Sequence, residues 1–99
     1  MTKNLVYEKI KKAEWKELEA MVNNHLPHFA SKINSLYHLS EEDYRICLLI
    51  RLNFTLSEIG ILTDCTPKEL YKRRKFMFKK LFNLDDKPEK FDKMIKHIN

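Results

Sequence analysis

Two helix-start signals that lie close together constrain this chain more than anything else in it. Residues 55–82 read TLSEIGILTDCTPKELYKRRKFMFKKLF. Thr55 and Ser57 carry oxygens that accept an otherwise unpaired backbone N–H at a helix start, and Thr55-Leu56-Ser57-Glu58 has the spacing of a capping box. Ile59 and Leu62 then share one face of a short helix. Thr63-Asp64-Cys65 interrupts the pattern. Thr66 restarts it as an N-cap, and Pro67 suits the first helical position, where no N–H is needed. The two signals predict two helices joined by a tight turn. In the second helix Leu70, Met77 and Leu81 recur as one apolar stripe, while Lys68, Tyr71, Lys72, Lys75 and Lys79 occupy the other face. That helix would be roughly 24 Å long.

The charge is as uneven as the pattern. Residues 65–82 hold seven Lys/Arg and one Glu, whereas residues 40–64 hold two Lys/Arg and five Asp/Glu. Residues 1–39 are net +2 and residues 83–99 are neutral, so the formal excess of +5 sits in a single predicted helix. A basic helix following a tight turn is the electrostatic footprint of a DNA reader. It also has the dimensions to enter a major groove, which is about 12 Å wide.

At these residues the chain resembles the helix-turn-helix of the LuxR-type bacterial transcription regulators. That family's pattern is Ser/Thr, two or three residues, Glu-Ile-Ala, a Leu, a short turn, Ser-Pro-Lys-Thr-Val, then a basic helix ending near Tyr-x-Lys-Leu. Thr55, Glu58-Ile59-Gly60, Leu62, Thr66-Pro67-Lys68, Leu70, Phe78, Lys80 and Leu81 stand at its positions. The run from Glu42 to Leu52 resembles the first helix of the same unit. A narrower group, which places a tetratricopeptide-rich sensor region ahead of such a domain, is similar at Trp15 to Glu19 and at Arg74 to Phe82. The similarity covers about residues 14–98. It implies a tetrahelical DNA-binding unit, commonly a homodimer on two half-sites, and an upstream sensor region if this chain is a fragment. It also allows a parent protein tethered to a membrane. The chain departs from the family at Gly60, where Ala is usual, at Glu69, where a small or hydroxyl residue is common, and at the bulkier Tyr71 and Arg73.

The remaining residues set the fold class. With 99 residues the chain makes one structural domain. A single Gly and three Pro leave little for β-turns, so an all-α bundle of about six helices is expected. Residues 1–39 form an N-terminal helical extension that packs on a helix-turn-helix core, residues 40–99. Within the extension, residues 4–25 have helical spacing through Leu5, Ile10, Trp15, Leu18, Met21 and Val22, with a break near Lys12-Ala13. Pro27 ends that segment, and a helix over about His28 to Tyr37 points Phe29, Ile33 and Leu36 inward. Ser40 followed by Glu41-Glu42-Asp43 starts a helix to about Leu52, packing through Tyr44, Cys47, Leu48 and Ile50 to Leu52. Asn53 closes it in the left-handed conformation, and Phe54 plugs the space beneath the next two helices. A last helix, about Pro88 to His97, presents Phe91, Met94, Ile95 and Ile98 to the body.

No cofactor is implied. Cys47 and Cys65 lack the close Cys or His spacing of a zinc site, and Pro27 stands between His25 and His28 with no further ligand beside them, so no metal is expected. The cysteine usage suits a reducing, cytoplasmic setting, and the longest apolar run, Ile46 to Ile50, is too short to span a membrane. No nucleophile–base pair or phosphate-cradling glycine loop is present, which argues against an enzyme. The leading expectation is sequence-specific binding of double-stranded DNA with Pro67–Phe82 in the major groove. Lys68, Tyr71, Lys72 and Lys75 are the candidates for base edges and adjacent phosphates, and Thr55, Thr66 and Lys79 for phosphates. Arg74 lies toward the inner stripe, where it either joins this set or bridges helices. The alternative is a protein-interaction module on the same scaffold, with RNA polymerase, a sigma factor or a sensor as partner.

Overall fold

Short polar side chains start four of the helices. In the computed structural model, which describes residues 2–99, the elements are α1 (Lys3–Lys11), α2 (Trp15–His25), α3 (Phe29–Leu36), α4 (Glu41–Arg51), α5 (Leu56–Thr63), α6 (Pro67–Phe82) and α7 (Pro88–Lys96). The hydroxyls of Thr2, Ser40, Thr55 and Thr66 accept from the backbone N–H groups of Leu5, Asp43, Glu58 and Glu69 at 3.1–3.3 Å. Each satisfies one of the donors that a helix start leaves open. There is no strand among the described residues, so the all-α expectation holds.

Seven helices stand among the described residues where about six were expected, because the segment over residues 4–25 divides at the break expected near Lys12-Ala13. Ala13 adopts a left-handed backbone with φ 58°. Its N–H donates to the Ile10 carbonyl (2.9 Å) and that of Glu14 to the Lys9 carbonyl (2.8 Å), which closes α1. The chain can then turn and lay α2 beside α1. The same device ends α4 at Asn53 (φ 67°), α5 at Asp64 (φ 56°) and α6 at Asn83 (φ 54°). Three of these four stops use Asn or Asp, the residues that tolerate this conformation best after glycine.

The core is one continuous cluster drawn from every helix. Val6, Leu18, Val22, Phe29 and Ile33 of the first three helices lie in it with Ile46, Ile59, Leu70, Met77, Phe91 and Ile95 of the last four. Its centre is α4, in which Ile46, Cys47, Leu48, Leu49 and Ile50 are all buried in succession. The expected packing set for this helix omitted Ile46 and Leu49. A helix that is apolar all round is walled in on every side, and α4 has no solvent face along that stretch. Arg45 stacks over the Trp15 ring at 4.5 Å and ties α2 to α4. The extents of 34 × 28 × 20 Å and a radius of gyration of 12.7 Å are those of a single folded unit of about a hundred residues. No helix among the described residues is long and apolar enough to cross a membrane.

Candidate nucleic-acid interface

The turn between α5 and α6 is built by the only glycine in the chain. The Cys65 N–H donates to the Gly60 carbonyl at 2.9 Å. A Cβ on Gly60 would meet the Cys65 carbonyl oxygen at 2.9 Å, closer than a backbone atom tolerates without shifting. The glycine that lowers helix propensity is therefore what lets the two helices approach. Both helices then begin with a complete capping box. The Glu58 carboxylate accepts from the Thr55 N–H (2.8 Å), and that of Glu69 from the Thr66 N–H (3.0 Å). The Thr55 N–H, with the Lys3 ammonium adding to it, holds the Glu58 carboxyl down at about 2. The Thr66 N–H likewise lowers that of Glu69. The departure of Glu69 from the resembled pattern is explained by this role: it closes the cap of α6.

The seven cations of the basic stretch divide into two sets. Three are already partnered. Arg74, 3% exposed, meets Asp92 of α7 through two hydrogen bonds, Nε to Oδ1 at 3.0 Å and Nη2 to Oδ2 at 2.5 Å. It is the bridge between helices, not part of the outer face. Arg73 reaches Asp43 at the start of α4 at 2.9 Å, which keeps its guanidinium above the ordinary arginine value. Lys75 binds Asp85 in the loop after α6 at 2.7 Å and the Asp86 carbonyl at 3.3 Å. Asp85 holds that ammonium above the usual lysine range, and its own carboxyl falls in return.

The other four, Lys68, Lys72, Lys79 and Lys80, are exposed and enter none of the ion pairs among the described residues. At 3.6 residues per turn, Lys68, Lys72 and Lys79 share one stripe opposite the buried Leu70, Met77 and Leu81. Tyr71, 50% exposed, stands at the edge of this stripe. Thr55 and Thr66 sit at the first turns of α5 and α6. Each hydroxyl accepts a backbone N–H as a cap and keeps its own proton to donate. Of the candidates named from sequence, Lys68, Tyr71, Lys72 and Lys79 thus lie along one side of α6, Lys75 lies beside them under the hold of Asp85, and the two threonines mark helix starts.

Sequence reasoning missed an aromatic feature of this face. Phe76 lies one turn beyond Lys72 and is 46% exposed. The Lys80 ammonium stands 5.8 Å from its ring centroid and 5.6 Å from that of Tyr37, which follows α3. The spacing Lys68, Lys72, Phe76 was the available signal, since residues four apart share a helix face. A second missed feature is a groove of about 460 Å³ between α5 and α6, lined by Leu56, Gly60, Ile61, Pro67 and Leu70 among others. Ile61 is 74% exposed at its rim.

No family model, curated protein or solved structure matches this chain.

Proposed function

We propose that this protein binds duplex DNA in a sequence-selective manner, with α6 laid in the major groove and the N-termini of α5 and α6 facing phosphates. One observation carries the reading: on a helix that follows a tight glycine-built turn, the arginines are consumed by internal carboxylates while four exposed lysines enter none of the ion pairs among the described residues. Unpaired lysines on a rigid helix are matched to an external polyanion. Phosphate neutralisation supplies affinity through counterion release, and groups on the same stripe are placed to reach base edges. The role of output domain in a LuxR-type transcription regulator rests on the resemblance of residues 55–82 and belongs to the same proposal, as does a homodimer on paired half-sites.

Fluorescence anisotropy against random duplexes and against duplexes enriched by selection, at two salt concentrations, tests it. Salt-sensitive binding with an enriched motif about a thousand-fold above random DNA is the expected result. The absence of binding at low salt would overturn it. The groove beside Ile61 favours a second reading, a protein-interaction module that docks an apolar partner segment against α5. It predicts a complex that survives nuclease treatment and is lost in Ile61→Glu.

A further inference from the structure

Phe76 stands out midway along the outer side of α6 as a large side chain that is 46% exposed and has no polar group. The other phenylalanines of this region pack together: Phe78, Phe82 and Phe91 have ring centroids 5.8–6.4 Å apart. Phe76 belongs to no aromatic pair among the described residues and holds nearly half its surface in solvent. It is four residues past Lys72 and eight past Lys68, so it continues the stripe of unpaired lysines. The Lys80 ammonium rests between its ring and that of Tyr37. Cation–aromatic contacts of this kind fix a ring at a wet surface without drawing it into the core.

We propose that Phe76 is a specificity-determining residue that reads the C5-methyl group of thymine in the major groove. The inference rests on the DNA-binding reading above and deepens it. A phenyl ring offers phosphate no hydrogen bond. On a helix held against DNA by Lys68, Lys72 and Lys79 its partner must be apolar. The thymine methyl is the apolar group that the major groove displays, and phenylalanine is among the side chains able to contact it. Lys80 and Tyr37 are positioning residues for the ring. Through Tyr37 the N-terminal extension contributes to base choice without touching a base.

Replacing thymine by uracil removes the methyl and leaves every hydrogen-bonding group in place. Each thymine of the selected duplex is therefore exchanged singly for uracil, and affinity is measured for the wild-type chain, Phe76→Ala and Phe76→Leu. The wild type should lose about four-fold at one thymine per half-site, the factor that burial of one methyl supplies. Phe76→Ala should bind the thymine and uracil duplexes equally at that position, and Phe76→Leu should keep part of the preference. Equal losses for Phe76→Ala on every duplex, or no uracil exchange that matters to the wild type, would overturn the assignment while leaving DNA binding intact. A wild-type chain that binds no duplex, or binds all alike, would overturn it together with sequence-selective DNA binding itself. Thermal melts of the variants identify any loss due to unfolding, and Phe76→Leu, which keeps an apolar side chain, carries the test if Phe76→Ala melts early.

Discussion

The inner and outer sides of α6 carry the same charge to opposite ends. Inward, Arg74 is sealed between α6 and α7 and neutralised by Asp92. Outward, Lys68, Lys72 and Lys79 face solvent and enter none of the ion pairs among the described residues. Arginine suits the first task because its planar fork engages both carboxylate oxygens at once, while lysine is a flexible point charge that adapts to phosphate. Basic residues crowded into one helix are therefore not interchangeable. Some hold the scaffold, and the remainder are what the scaffold presents.

The sharpest way to break this division is to remove the inner partner. Asp92→Ala leaves the Arg74 guanidinium buried and unpaired and should cost about 3–5 kcal/mol of stability. That is a large share of the roughly 5–15 kcal/mol available to a domain, and urea unfolding reads it directly. If Asp92→Ala unfolds at the same midpoint as the parent, the inner pair is not structural.

Gly60→Ala tests the turn on which the outer face depends. A methyl 2.9 Å from the Cys65 carbonyl should cost about 1–3 kcal/mol by overpacking, against a propensity gain of about 0.5–1 kcal/mol. A rise in melting temperature would show that the turn yields easily. On the outer side, Lys72→Ala should leave the melt unchanged, weaken DNA binding several-fold, and lower the log–log salt slope by about 0.9. Unchanged affinity and slope would take Lys72 off the interface.

Asp85→Asn probes the boundary between the two sets, since it releases Lys75 to the outer face. Binding should tighten by up to about five-fold, the range of an exposed ion pair, with a steeper salt dependence. A weaker complex would show that Asp85 instead positions Lys75 for DNA.

The smallest effect is expected from Glu58→Gln, which bears on the α5 cap. Glu58 ionises at about 2 in the folded chain, against an ordinary 4.5. Its lowered value means that the charged form contributes stability above about pH 4.5 and loses that contribution as pH falls toward 2. The melting-temperature gap between wild type and Glu58→Gln should close over that interval. A gap independent of pH would assign the effect to packing.

Legibility in the sequence followed the range of the interactions. Ser40, Thr55 and Thr66 are caps that need only a residue three positions away, and Asn53 is a stop that acts on its own turn. All four were readable, and with them the boundaries of α4, α5 and α6. The helices of the extension were less so. α2 and α3 have no side-chain cap, and α1 stops at an alanine in a left-handed backbone, within the break expected near Lys12-Ala13 but by a conformation that residue type does not announce. What holds them is tertiary: Trp15 against Arg45, and Phe29 against Tyr44 at 6.2 Å. The same distinction runs through the candidate interface. The lysine stripe followed from periodicity alone. The partners of Arg73, Arg74 and Lys75 lie 30, 18 and 10 positions away, and Tyr37 meets Lys80 only because α3 packs on α6.

Lys3 makes a connection whose reach exceeds its strength. Its ammonium lies 2.9 Å from Glu58 and 5.0 Å from the Phe54 ring, so the beginning of α1 is moored at the first turn of α5. Any segment joined ahead of Thr2 enters the molecule at that mooring. A stiff spacer fused there would act as a lever on α5, whereas a glycine-rich one would go slack and transmit little force. The purification tag chosen for this protein is therefore itself a mechanical variable.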